Sequence, residues 1–241
     1  MNSNARGFTL IEMMMGIVVM LVVVGGIFSV INAVNQRSAT EQSKLDMFQE
    51  AREFVDQMSR DLHQAGFPNP RHYLEQGILT TTPVINDPKN AVGIVKVGSG
   101  DLWFEGDVDG TGVVSVVHYH LDTSTANGCP CLRRSQLPKI AGNPLSGQST
   151  EVYQVQVQGV RNANIFQAFT RGTTGVPITL PVDFTNNPTT IANVDTIKLT
   201  LSLRALRKDP KTNQYPVTTL IATTKLNNCS QAAIARPMSC Q

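Results

Sequence analysis

Phe8 to Ile31 reads FTLIEMMMGIVVMLVVVGGIFSVI, twenty-four residues with a single charge, at Glu12. As a helix rising about 1.5 Å per residue it reaches about 36 Å, more than the ~30 Å hydrocarbon core of a bilayer. A secretory signal peptide has a shorter apolar core and a small-x-small cutting site after it. Here Asn32-Ala33-Val34-Asn35-Gln36 follows without a break, so the span is expected to stay in the protein. Glu12 needs an account. An unpaired charge at the centre of a membrane helix costs about 2.5–3.5 kcal/mol and less near an end, so a partner is expected. The plainer alternative is a carboxylate reaching for the headgroups. Arg6 lies on one side of the span and Arg37 and Lys44 on the other, so charge alone does not orient it.

Outward from the span the helix goes on. No proline occurs before Pro68, and Leu45, Phe48, Val55, Met58, Leu62 and Ala65 recur at helical spacing, which predicts one apolar stripe. Gly66, Pro68 and Pro70 supply stop signals. The first sixty-odd residues therefore read as one helix, apolar in its first half and amphipathic in its second. A soluble coiled coil is the alternative for the second half, and three heptads give it little length. Gly25 and Gly26 interrupt the apolar half, each costing up to ~1 kcal/mol relative to alanine.

Beyond the helix the pattern changes period. Strands are predicted at Ile94–Val97, Leu102–Glu105, Val113–Leu121, Val152–Val160, Thr196–Leu203 and Val217–Lys225. Ile197, Leu199, Leu201 and Leu203 alternate with polar residues, as in an antiparallel sheet with one buried face. The expected fold class is α+β, with the sheet closing over the helix stripe. Stretches 76–93, 122–150 and 170–194 are rich in Gly, Pro, Asn and Thr and read as long loops, candidates for partner-facing surface.

Composition agrees. Of 241 residues only 16% are charged, below the usual quarter, because part of the chain is not meant for water. The net charge is +2 with no run of Lys or Arg, so no nucleic-acid partner is predicted. Cysteines stand at 129, 131, 229 and 240. Four allow three disulfide pairings. Cys229 with Cys240 makes a comfortable clasp, whereas a bridge across Pro130 is awkward, leaving cross-pairing or free thiols open for Cys129 and Cys131. A single CxC unit is a poor zinc signature.

Arg6-Gly7-Phe8-Thr9-Leu10-Ile11-Glu12 resembles the cleavage and methylation motif of type IV prepilins and type II secretion pseudopilins. The resemblance implies a prepilin peptidase that cuts between Gly7 and Phe8 and methylates the new amine of Phe8. It implies that Glu12 pairs with the Phe8 amine of a neighbouring subunit. It also implies a division into leader (1–7), transmembrane helix (8–31), amphipathic continuation (32–66) and β-rich globular domain (67–241). The protein would cross the inner membrane once, N-terminus cytoplasmic and globular domain periplasmic, before joining a pilus fibre or its tip. The helix-kinking proline common in that family is missing here.

The helix exit Arg60-Asp61-Leu62-His63-Gln64-Ala65-Gly66-Phe67 and the later Asp107-Val108-Asp109-Gly110, Tyr119-His120-Leu121 and Thr224-Lys225-Leu226-Asn227-Asn228 resemble PilW-like minor pilins and J-type pseudopilins. The implied function is minor pilin in the priming or tip complex of a type IV pilus. Its partners would be the peptidase, other minor and major pilins and the inner-membrane assembly platform. A J-type pseudopilin is the alternative. A membrane-anchored adhesin that never polymerises is a third, and it makes Glu12 dispensable.

Few residues suggest other chemistry. Glu105, Asp107 and Asp109, in EGDVDGTG, resemble the first half of a calcium loop. The closing acid falls on Val116, so a hairpin turn is the preferred reading and calcium the minor one. His118 and His120 share a face of one strand, as two metal ligands could, but with no third ligand near in sequence they read as a solvent-facing pair. His63 and His72 read as isolated surface histidines. No nucleophile elbow or phosphate loop occurs, so an enzyme is not predicted.

Overall fold

The computed structural model describes residues 9–68, 76–79, 81–125, 128–171, 175–205, 208–209 and 212–227. The Gly7–Phe8 bond, His72, Cys229 and Cys240 lie outside the described residues. The described residues fall into two compact units, those within 1–46 and 206–216, and those within 47–205 and 217–241.

Helix α1 runs without interruption over Leu10–Gln64. In the first unit its side chains from Leu10 to Val34 are almost all exposed, Leu, Ile, Val, Met and Phe included. The stretch is long and apolar enough to cross a membrane. Lys44 Nζ, 2.7 Å from Glu41 Oε1, also approaches Asp209 Oδ2 at 4.0 Å.

In the second unit the helix presents Ala51, Phe54, Met58 and Leu62 to the core, and Ala65 follows. That stripe differs from the predicted one, since Leu45 and Phe48 are exposed. The inward face is fixed by what Phe54 and Met58 meet, which the spacing of apolar residues alone does not specify. Among the described residues nine strands follow: β1 (Ile94–Val97), β2 (Asp101–Gly106), β3 (Ser115–Asp122), β4 (Cys131–Pro138), β5 (Gln154–Gln158), β6 (Phe166–Thr170), β7 (Val182–Asp183), β8 (Val194–Arg204) and β9 (Val217–Lys225), with a short helix α2 at Pro188–Ala192. Six form a sheet in the order β5-β4-β3-β2-β1-β7, and three form a second in the order β6-β8-β9. Every described pairing is antiparallel. The fold is α+β: a long N-terminal helix followed by an antiparallel β domain.

Alternation puts Leu102, Phe104, Val117 and Tyr119 of the first sheet, and Ile197, Leu199, Leu201 and Leu203 of the second, into one core with the helix stripe. Tyr119 also fastens the helix. Its hydroxyl donates to Asp61 Oδ2 at 2.7 Å, Arg134 Nε donates to the same oxygen at 2.9 Å, and its ring meets Phe54 edge-on at 5.6 Å. The helix stops at Gly66, whose φ of 78° is left-handed and whose N–H donates to Glu105 O at 2.8 Å.

β1 and β9 keep the bounds read from sequence, and β2, β3, β5 and β8 shift by one to a few residues. β4 and β7 lie inside stretches read as loops, and β6 lies after the expected strand Val152–Val160 and ends where the 170–194 loop begins, in a stretch where no strand is expected. β4 was hidden by its own charges: Arg133 and Arg134 interrupt the apolar alternation yet are ion-paired to Asp122 and Asp61.

Candidate functional sites

At the start of α1, Thr9 and Glu12 satisfy one another. Glu12 Oε2 accepts from the Thr9 N–H and hydroxyl, both at 2.9 Å, and the Glu12 N–H donates to Thr9 Oγ1 at 3.4 Å. This is a capping box, in which residues three apart occupy each other's orphan donors. The T-x-x-E spacing is the sequence signature of such a cap. Glu12 thus has a partner within its own chain, and its side chain remains exposed at the helix start.

The proposed calcium loop is a self-contained turn. Glu105 does not face it: the carboxylate is fully buried, 2.7 Å from Lys139 Nζ, and accepts from the Val92 N–H at 3.0 Å. Burial pushes its carboxyl up from the ordinary range, and the Lys139 ammonium pulls it back. Asp107 accepts from the N–H groups of Thr111 and Gly112, and Asp109 from the Thr111 N–H and hydroxyl. Glu105 is therefore corrected from metal candidate to core ion pair, because its strand position points it inward. Asp107 spends both oxygens on the turn's backbone, while Asp109 Oδ1 accepts from Thr111 and Oδ2 from Gln136 Nε2 at 3.4 Å.

His118 corrects a second expectation. It is buried, not solvent-facing, while His120 is exposed. The β2–β3 register pairs Asp101 with His120 and Trp103 with His118. Directly opposed residues share a face of an antiparallel pair, so these four side chains meet on the face opposite Tyr119. Asp101 Oδ1 bonds His118 Nε2 and stands 3.5 Å from His120 Nδ1, and Asp101 Oδ2 is 2.6 Å from Lys96 Nζ. Burial would raise the Asp101 carboxyl, but hydrogen bonds from His118 and His120 outweigh it and hold the group well below its usual range. The hydrogen bond to Asp101 likewise raises His120. Strand pairing supplied the third residue that sequence proximity did not.

The structure pairs the sulfurs of Cys129 and Cys131, with Cα atoms 4.6 Å apart.

Residues 2–28 match the family described as prokaryotic N-terminal methylation motif. No curated protein and no solved structure matches the chain. The motif supports a type IV pilin-like or pseudopilin-like protein, of structural rather than catalytic character, processed by a prepilin peptidase and anchored through its apolar helix.

Proposed function

We propose that the chain is a minor pilin, held in the inner membrane by α1 with its β domain in the periplasm and then built into the priming or tip complex of a type IV pilus. One observation carries this reading: the Arg6–Glu12 motif leads directly into the exposed apolar half of α1, with Glu12, the single charge of the run Phe8–Ile31, in the first turn. A filament built by packing such helices covers that surface with copies of itself and leaves the β domain outside. Glu12 then offers its carboxylate to the methylated amine of Phe8 in the next subunit.

The test is the intact mass of protein recovered from envelopes. The mature chain should begin at N-methylated Phe8, and a chain beginning at Met1 or after Ile31 removes the reading. Deleting the gene should reduce surface pili. Loss of protein secretion with normal pili would assign the chain to a pseudopilus instead.

A further inference from the structure

We propose that Asp101, His118 and His120 form a binding site for a divalent transition-metal ion, with zinc as its natural class. Two imidazoles and a carboxylate are a donor set that zinc accepts, leaving a fourth tetrahedral position for water or an incoming group. Oxygen-seeking calcium is poorly served by it. The ligand atoms lie within 4.8 Å of one another. Bonds of about 2.0–2.1 Å in a tetrahedron place ligand atoms roughly 3.3 Å apart; His120 Nδ1 stands 3.5 Å from Asp101 Oδ1, whereas His118 Nε2 touches Asp101 Oδ1 directly and has to part from it to admit an ion. The inference does not depend on the pilin reading.

The groups behind the ligands make a built site of this cluster. His118 Nδ1 faces Glu151 Oε1 at 2.7 Å, so Nε2, which here bonds Asp101 Oδ1, is the nitrogen on the ligand side. Metal-bound histidines almost always donate the second ring N–H to a carboxylate, a backbone carbonyl or water, which fixes the ring and makes it more basic. The Tyr153 hydroxyl lies 2.7 Å from the same Nδ1 and donates to Glu151 Oε2. Trp103 stacks flat on His118, ring centres 4.5 Å apart and planes 2° from parallel. Lys96 holds Asp101 Oδ2, and Oδ1, which here bonds His118 Nε2 directly, is the oxygen that would turn to an ion. The ligands open on a cleft of about 680 Å³ that Lys96, Leu121 and Tyr153 also line, giving an ion a way in. His120, with 46% of its side chain exposed, closes the outer side.

The test uses the full chain without a histidine tag, in detergent, stripped with chelator and titrated with zinc chloride by calorimetry. One zinc per chain is expected, with a raised unfolding temperature. His120→Ala and Asp101→Asn should weaken binding by more than about 100-fold, and Glu151→Gln by about 10- to 100-fold. His63→Ala should bind as the unsubstituted chain does. Calcium chloride should give no heat. Because His120 is half exposed, His120→Ala should unfold in chelator at the unsubstituted temperature, and His120→Gln provides a second reading. Absence of zinc binding overturns the proposal, as does unchanged affinity in both His120→Ala and Asp101→Asn.

Discussion

Glu105 and Lys139 are both completely enclosed, 2.7 Å apart, and Lys139 also donates to the carbonyls of Ile85 and Asn90 at 2.9 and 2.6 Å. Removing one partner strands the other charge in a medium that cannot solvate it. Lys139→Ala should therefore cost about 3–5 kcal/mol, read by urea unfolding of the chain in detergent, and the double substitution Glu105→Gln with Lys139→Met should cost far less than the sum of the singles. A loss under 1 kcal/mol for Lys139→Ala would mean that water reaches the pair. Glu12 allows a cleaner separation of roles. If its carboxylate only caps α1, Thr9→Ala and Glu12→Ala lose the same cap, about 1 kcal/mol, and should lower filament incorporation equally. The assembly role requires Glu12→Ala to abolish incorporation while Thr9→Ala largely keeps it, as immunoblots of sheared pili would report. Sequence placed Glu12 and the shared face of His118 and His120, since both are properties of one segment. It did not supply Asp101, Glu151 or Lys139, because those partnerships exist only once distant strands are in register.

Elements were legible where a single period ran unbroken. β8 alternates through Ile197, Leu199, Leu201 and Leu203, all fully buried, and its bounds are read to within two residues at the start and one at the end. β4 was not, because its arginines are neutralised by partners on other elements. The junction of α1 and β2 is another such case. Gly106 opposes Ala65 in an isolated bridge, and a Cβ on Gly106 would lie 2.3 Å from the Gln64 carbonyl oxygen. Backbone on that side is held by Gly66 N–H to Glu105 O and Asp107 N–H to Phe67 O, both at 2.8 Å, so it cannot yield as a side chain would. Gly106→Ala should cost about 1–3 kcal/mol, as overpacking does, and lower the unfolding temperature by several degrees. Gly110→Ala is a different insult, since Gly110 has open space around it but a φ of 70°. It should strain only the turn. Equal temperatures for Gly106→Ala and the unsubstituted chain would show that the helix end is free to move.

At the scale of the whole chain, stability and anchoring draw on different residues. The hydrophobic core begins at Ala51, and the described residues before Thr40 contribute no buried side chain. The apolar half of α1 therefore adds little to the folded state of the β domain in water, where it would instead expose Leu, Ile, Val, Met and Phe along its length. The composition already hinted at this division, since an apolar run with one charge followed by a charged, striped continuation describes two solvents. What it could not give was the line where the core starts, because the exposed Leu45 and Phe48 resemble the buried Phe54 and Met58 in every local respect. A chain beginning at Arg37 keeps Thr40, Lys44 and the whole inward stripe while losing the apolar half. It should remain in solution without detergent, unfold in one cooperative transition, and do so within a few degrees of the full chain in mild detergent, since no core contact has been removed. It should also retain its zinc stoichiometry, because every proposed ligand and its supporting groups lie beyond residue 95. Scanning calorimetry and calorimetric titration of the shortened chain read both quantities. A melting temperature lowered by tens of degrees would mean that the apolar half supports the β domain directly, and the separation of anchor from fold would fail.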